Sequence, residues 1–418
     1  MRTRIEVLNR QVGSILMMTL FSAMLIGVVL AGYLTLVQHQ ETTVSRSQGW
    51  NAALTLAEAG VEEALAQMNS GDLSANGWGP PSGANFNLQS RALAGGRYDV
   101  RYDTNTSSSP TIVSIGYVNL PASSATVSRQ VKVSTKAVPL INVAVAAKYG
   151  ITLSSGSGVT VDSFNSANNT HSDFGRYPPA SQSWKLLTNG DVGSVYGPVS
   201  LGTPNIKGDL YLGPAATNSV VANQVSGRIY NDFNVDYPDV VAPAGAPGGS
   251  GWFLDNADPH IFSGSSYTCV INDSHKIIVR GGSKVTLYVT TANFSPSEIQ
   301  IQTNLAGASG SLTIYQVSGS ASFMGNGALA VDSRRADSFS YFGLPGVTSV
   351  TYNGNGNPFF GVIYAPSANL TLNGGGYMVG ACIGRSITMG TSYSFHFDEN
   401  LLKVGPMRGY LAKSWEEL

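Results

Sequence analysis

The chain has 418 residues, which exceeds one ordinary domain of roughly 100–200 residues, so an anchor, a small domain and a larger one are expected. Only 12% of residues are charged, Gly is abundant at 48 residues, and the formal net charge is −1. Low charge with many Gly, Ser, Thr and Asn points to stacked β-structure with tight turns. The balanced charge supplies no field for nucleic acid, and no nucleic-acid partner is expected.

Residues 1–13 form a basic leader, with Arg2, Arg4 and Arg10 against a single Glu6. The segment 14–37 that follows, Ser14 to Val37, carries no ionisable side chain. At ~1.5 Å per residue it spans about 36 Å, enough to cross a hydrocarbon core of about 30 Å. The basic excess keeps the N-terminus cytoplasmic and sends the rest outward. The apolar run exceeds the h-region of a removable signal peptide, and no clear small-x-small cleavage site follows it.

No proline interrupts the chain from Met1 to Gly79. The spacing predicts one long helix, or two with a break near Gln38 to Ser45. Its outer half carries an apolar stripe of Trp50, Ala53, Leu54, Ala57, Val61, Ala64, Leu65 and Met68. Three alternating segments, Arg97–Tyr102, Thr111–Val118 and Ala125–Thr135, read as an antiparallel meander on which that stripe packs.

These residues carry a resemblance. The basic leader, the Gly13–Ser14 junction and the uncharged helix are similar to the N-terminus of type IV pilins and pseudopilins. The stretch Ala57 to Leu65, the opening Ala94 to Tyr98 and the arginine-containing last strand resemble the PilX-type pilus-assembly N-terminal family. The likeness covers roughly residues 1–137. It implies a pilin-like module over 38–137 and prepilin-type processing between Gly13 and Ser14. Its implied partners are other pilin-like or secretion-system subunits, and its implied location is the bacterial inner membrane, with the C-terminal domain periplasmic or at the cell surface. Counting from Ser14, the fifth residue is Met18, where major pilins carry Glu. That departure favours a minor or accessory component, or an uncleaved anchor.

From Tyr149 onward short alternating runs are punctuated by Gly and by Asn-Gly pairs at Asn189, Asn326, Asn353, Asn355 and Asn373. Gly361 to Leu370 can be laid over Gly380 to Met389, an offset of about 19 residues that suggests rungs of a β-solenoid. The expected class is therefore α+β to mainly β: a long transmembrane helix packed on a small antiparallel meander, followed by a β-solenoid over 149–402. A β-sandwich is the alternative. The register places Ile363 and Cys382 in neighbouring rungs. Residues 230–259, rich in Pro and Gly, read as a surface excursion or cap, and 403–418 as a short tail with a helical turn at Lys413 to Leu418. The stretches Phe359 to Pro366 and Ser394 to Leu401 are similar to an uncharacterised C-terminal domain found behind PilX-type anchors.

Chemistry is sparse. GxSxG, Walker, HExxH and EF-hand patterns are absent, and no catalytic, cofactor-binding or metal-binding residue is expected. Two small charged clusters stand out. His396 and Asp398 share a strand face, with Glu399 opposite; they read as solvated caps, or as an acid/base or metal pair. Asp332, Arg334, Arg335 and Asp337 read as a charged turn, or as the carboxylate cluster of a β-helical polysaccharide-active enzyme. Cys269 and Cys382 either form a disulfide in an oxidising compartment or stay as separate buried thiols. The 19 tyrosines allow an adhesive or glycan-binding face. The reading favoured is a non-enzymatic, membrane-anchored accessory protein.

Overall fold

The computed structural model describes residues 6–69, 78, 85–93, 95–103, 109–121, 125–154, 160–203, 205–219, 223–243, 245–249, 251–264, 266–325, 328–390, 392–404 and 407–418, with backbone alone for 6–14 and 85–90. The chain divides into two compact units, one running to Val138 and completed by Arg408–Leu418, the other Pro139–Met407.

In the first unit, one helix, α1 (Glu6–Asn69), runs without a break. No part of its apolar half is buried against protein, and it is long and apolar enough to cross a membrane. Hydroxyls within that half bond back to the helix itself: Thr19 Oγ1 donates to Leu16 O at 2.9 Å, Ser22 Oγ to Met18 O at 2.9 Å and Thr35 Oγ1 to Ala31 O at 2.8 Å. Each hydroxyl is thereby satisfied within the helix, as a segment in lipid, which offers no other acceptor, would require.

The far half of α1 covers an antiparallel meander of four strands, β1 (Asn85–Leu93), β2 (Gly96–Asp103), β3 (Thr111–Asn119) and β4 (Thr126–Pro139). Alternation buries Tyr98, Val100 and Tyr102 of β2, Ile112 and Val118 of β3, and Val131 and Val133 of β4 under the helix. The sheet has one strand more at its start than the alternation predicted.

Beside β4 lies a fifth strand, Met407–Glu417, and this corrects the reading of 403–418 as a tail with a helical turn near its end. The helical turn sits earlier, at Leu401–Val404. An open edge on β4 would leave a row of unpaired N–H and C=O groups, and the returning chain covers it. Leu418 N donates to Gln130 O at 3.0 Å, and Arg129 pairs with Glu417.

The second unit is β-rich, with long parallel ladders and one extensive core. A column of backbone partners can be followed strand by strand: Phe253, Cys269, Leu287, Ile314, Tyr341, Ile363, Cys382, Val145, Val192, Leu210 and Ile229. The nine inner members are buried, whereas Phe253 and Ile229 at the two ends are exposed. A second column joins Phe294, Ala321, Val350, Leu370, Ile387, Ile151 and Val199. The order is not that of the chain: Val145 stacks on Cys382, so the first strands of the unit lie against its last long one.

That order explains residues 230–259. After Ile229 the chain must return along the stack to Phe253, ten pairings away at ~4.8 Å each, about 48 Å. Some 22 residues reach up to ~75 Å when extended, so the segment suffices. Its first part, to Val240, is packed rather than a surface excursion, whereas none of the described residues from Val241 to Pro259 is buried. Phe233, Tyr237 and Val240 are buried, Tyr237 Oη donates to Asn142 Oδ1 at 3.1 Å, and Tyr364 Oη donates to Pro238 O at 2.7 Å.

The proposed repeat holds over its first half. Gly361 pairs with Gly380 and Ile363 with Cys382, as the offset requires. A register shift between Ala365 and Asn369 then moves Leu370 opposite Ile387, not Met389. A second repeat, with no counterpart in the apolar pattern, lies earlier in the unit: Gly190-Asp191-Val192, Gly208-Asp209-Leu210 and Gly227-Arg228-Ile229 stack upon one another. Asp191 Oδ1 accepts from Asp209 N at 2.7 Å and Asp209 Oδ1 accepts from Arg228 N at 2.7 Å. Burial raises the Asp191 carboxyl above its usual range.

Candidate functional site

The helix–sheet contact of the first unit is built from small residues. A Cβ on Gly116 of β3 would overlap the carbonyl oxygen of Ala53 and stand 2.7 Å from Ala57 N, so helix and strand backbones touch. Where the backbones touch, at Ala53 and Ala57, only small side chains fit. Ala53, Ala57 and Ala64 are fully buried, joined by Gly49, Leu56, Gly60, Val61 and Met68. Leu54 and Leu65 are half-buried flanks.

Trp50 departs from the predicted stripe: it is exposed, because no indole fits between backbones this close. Instead it lines a groove of about 630 Å³ with Arg46, Leu120, Thr126 and Val127, and the Arg129 guanidinium carbon sits 5.3 Å from its ring centre. Polar side chains lock the helix end. Glu63 pairs with Arg91 of β1 at 2.5 Å and accepts the Tyr98 hydroxyl. Burial, then that hydrogen bond, pushes the Tyr98 phenol up to about 12. The Asn69 amide clasps the C-terminal strand, accepting from Tyr410 N at 2.7 Å and donating to Tyr410 O at 3.2 Å.

Arg2 and Arg4 lie outside the described residues, and of Gly13 and Ser14 the helical backbone alone is described. Met18 is exposed on the apolar half of α1.

In the second unit the sequence pointed at His396 and missed its partners. His396 and Asp162 are direct partners on adjacent parallel strands, and His396 Nδ1 donates to Asp162 Oδ1 at 2.6 Å. Tyr177 donates to Asp162 Oδ2 at 3.2 Å and stacks its ring 3.7 Å from the imidazole. Burial, then the Asp162 charge, drives the Tyr177 phenol far above its usual range. The solvated-cap reading is therefore corrected, because residues 165–187 fold over this face and bury it. Asp398 is also buried, its Oδ1 accepting from Ser166 N at 3.0 Å and Asn400 N at 3.1 Å. Glu399 accepts from Ser163 Oγ at 2.8 Å and Asn189 Nδ2 at 2.9 Å.

The imidazole lines a cavity of about 370 Å³ with Tyr177, Tyr377, Arg176, Arg334 and Asp173. A carboxylate-oriented imidazole can exchange a proton there. Among the lining residues there is no Ser, Thr or Cys to attack a carbonyl, and a single carboxylate where glycoside hydrolysis uses two. The second predicted cluster is not gathered into a groove. Arg335 holds Asp337 through two bonds of 3.1 and 2.8 Å, Asp332 accepts from Thr303 N at 3.1 Å, and Arg334 alone reaches the cavity.

Cys269 and Cys382 are free, buried thiols, the second of the two readings open for them. They stand in one column five pairings apart, about 24 Å. A disulfide needs Cα atoms about 4.4–6.8 Å apart.

Comparison with known proteins adds little chemistry. Residues 292–404 match a family model described as Domain of unknown function (DUF7305). No curated protein matches the chain. Among solved structures, the chain is similar to the competence-associated pilin ComZ from Thermus thermophilus, at 12% identity and a TM-score of 0.29, over 88% of this chain and 97% of that one. It is also similar to a glycosylated ice-binding protein (LeIBP) from Arctic yeast, at 15% identity and a TM-score of 0.26, over 62% of this chain and 94% of that one. At these scores neither likeness assigns a role.

Proposed function

We propose that this protein is a single-pass, pilin-like accessory component of a pilus-assembly or secretion apparatus, of the PilX type, that presents a β-solenoid outside the cytoplasmic membrane. One observation carries the reading. A single uninterrupted helix joins a lipid-length apolar segment to a small-residue seam packed on a β-meander. A rod of this kind transmits the position of the membrane segment to the folded module without a hinge. In this reading the bare half of α1 meets the apolar helices of neighbouring subunits, and the basic residues before it stay cytoplasmic. The solenoid reading is supported by the parallel columns, which run through strands far apart in the chain.

The test is a photo-crosslinking residue at Leu25 in the native host. The expected product is an adduct with another single-pass subunit, from a protein that resists carbonate extraction. Recovery of a soluble chain lacking its first fifty residues, or of lipid adducts alone, would refute the assembly role. A glycan-binding face is the second reading, supported by the exposed rings of Tyr149 and Tyr196, 5.7 Å apart, with the Arg385 guanidinium 5.1 Å from the Tyr149 ring. Glycan-array binding abolished by Tyr149→Ala would support it, and a blank array would discard it.

A further inference from the structure

The four-stranded parallel sheet of the second unit begins with a residue that does not belong in an aliphatic column. His260 is the first member of a series continued by Ile277, Ile299 and Leu329, and it has no exposed surface. A buried imidazole needs partners for both nitrogens. Both are carboxylates: Nδ1 lies 2.9 Å from Asp255 Oδ2, and Nε2 lies 2.8 Å from Asp273 Oδ1. A second imidazole repeats the pattern. His275 Nδ1 lies 3.5 Å from Asp273 Oδ2, and its Nε2 lies 3.9 Å from Asp258 Oδ2. The same Nδ1 is 3.2 Å from the Ala257 carbonyl oxygen. Each ring thus turns one nitrogen to the shared Asp273 and the other to a carboxylate of its own. Among the described residues, these imidazoles are the sole ionic partners of Asp255, Asp258 and Asp273. Three carboxylates around two imidazoles leave a negative excess that a divalent cation would offset.

We propose that His260 Nε2, His275 Nδ1 and Asp273 bind one divalent first-row transition ion, with Asp255 holding the His260 ring from behind and the Asp258 charge 3.9 Å from His275 Nε2. One ligand atom from each of the three lies within 4.8 Å of the others. The 2.8 Å between His260 Nε2 and Asp273 Oδ1 is the span of two ligands each about 2.0–2.1 Å from one ion at roughly a right angle. Two imidazoles favour zinc, copper or nickel over magnesium or calcium. Asp255, hydrogen-bonded to His260 Nδ1 at 2.9 Å, fixes the orientation of that ring and raises its basicity, as such partners do at metal sites. On binding, the ion takes the place of two hydrogens: the one between His260 Nε2 and Asp273, and the one that His275 Nδ1 turns to Asp273 and the Ala257 carbonyl; the first leaves to solvent, and the second leaves to solvent or moves to His275 Nε2. His275 is partly exposed and provides the way in.

The experiment uses full-length protein in detergent, stripped with chelator and titrated calorimetrically with zinc chloride, then with cobalt chloride followed by visible absorption. The expected result is one zinc per chain at micromolar or tighter affinity, and a cobalt ligand-field band. Both should weaken at least about tenfold in His275→Ala and in Asp273→Asn. His275→Ala spares the buried ring, and unchanged hydrogen exchange over Ile277–Val279 would establish that this variant is folded. No zinc binding by the parent, or equal binding by parent and folded His275→Ala, overturns the proposal and leaves His260 as a buried ring hydrogen-bonded between two carboxylates.

Discussion

Replacing Gly116 by alanine tests whether α1 is seated by backbone contact. The added Cβ would overlap Ala53 O and stand 2.7 Å from Ala57 N, where an unstrained contact is about 3.4 Å or more. Both obstacles are helix backbone, so no side chain can rotate away. The helix must retreat by at least about 0.7 Å, loosening the contacts of Ala53, Leu56 and Ala57 together. Overpacking of this kind costs about 1–3 kcal/mol, and the rigid obstacle places Gly116→Ala near the upper end. About 3 kcal/mol corresponds to a roughly hundredfold loss of protection.

Hydrogen exchange by mass spectrometry on the detergent-solubilised full chain reads this directly, at Ala53–Ala64 and at Tyr98–Tyr102. Two other glycines calibrate it. Gly60 faces the Ser114 hydroxyl and the edge of the Tyr98 ring, both side chains, so Gly60→Ala should cost less. Gly27 has nothing within 4 Å, and Gly27→Ala should leave protection of the first unit unchanged. If Gly116→Ala is protected like the parent chain, or if all three variants behave alike, the seam is not held by backbone contact.

Two further outcomes follow from burial. The Asp398 carboxyl is raised by desolvation, so the native state holds its proton more tightly than the unfolded chain. Stability from this group is therefore greatest below the ordinary aspartate range and is lost as pH rises through the native value. Asp398→Asn keeps an acceptor for Ser166 N and Asn400 N; it should unfold at a higher temperature than the parent near pH 7, with the gap closing on acidification. A gap independent of pH would contradict this. The Cys269 thiol is pushed up to about 12 by burial, with the Asp255 charge adding to it, and Cys382 is raised by burial. Alkylation near pH 8 should be slow in the native protein and reach two thiols after denaturation, whereas an absence of free thiols on denaturation would reinstate the pairing.

What was legible in advance was what neighbours in the chain decide. An uncharged run long enough for lipid, unbroken by proline, needs no tertiary information to be read as a membrane-length helix, and the alternation of Arg97–Tyr102 likewise yields a half-buried strand. The likeness of Gly361 to Gly380 marked two strands that do pair. Trp50 shows where such reading ends. An apolar stripe spans about 100° of a helix, and which residue lies at its centre depends on how closely the partner approaches. Here glycines on both sides draw the backbones together and turn the indole out.

Everything non-local was settled by the tertiary fold. The strand Met407–Glu417 closes a sheet whose other members end at Pro139, and Val145 stacks on Cys382. Parallel pairing joins residues at separations that vary with every loop, so no fixed period announces Asp162 beside His396, or Asp255 and Asp273 on either side of His260. Hydrophobic periodicity records which face of an element is buried. It does not record which element lies against that face, and at His396 and His260 the partner on the adjacent strand or loop determines whether a polar side chain is solvated, clamped or free to take an ion.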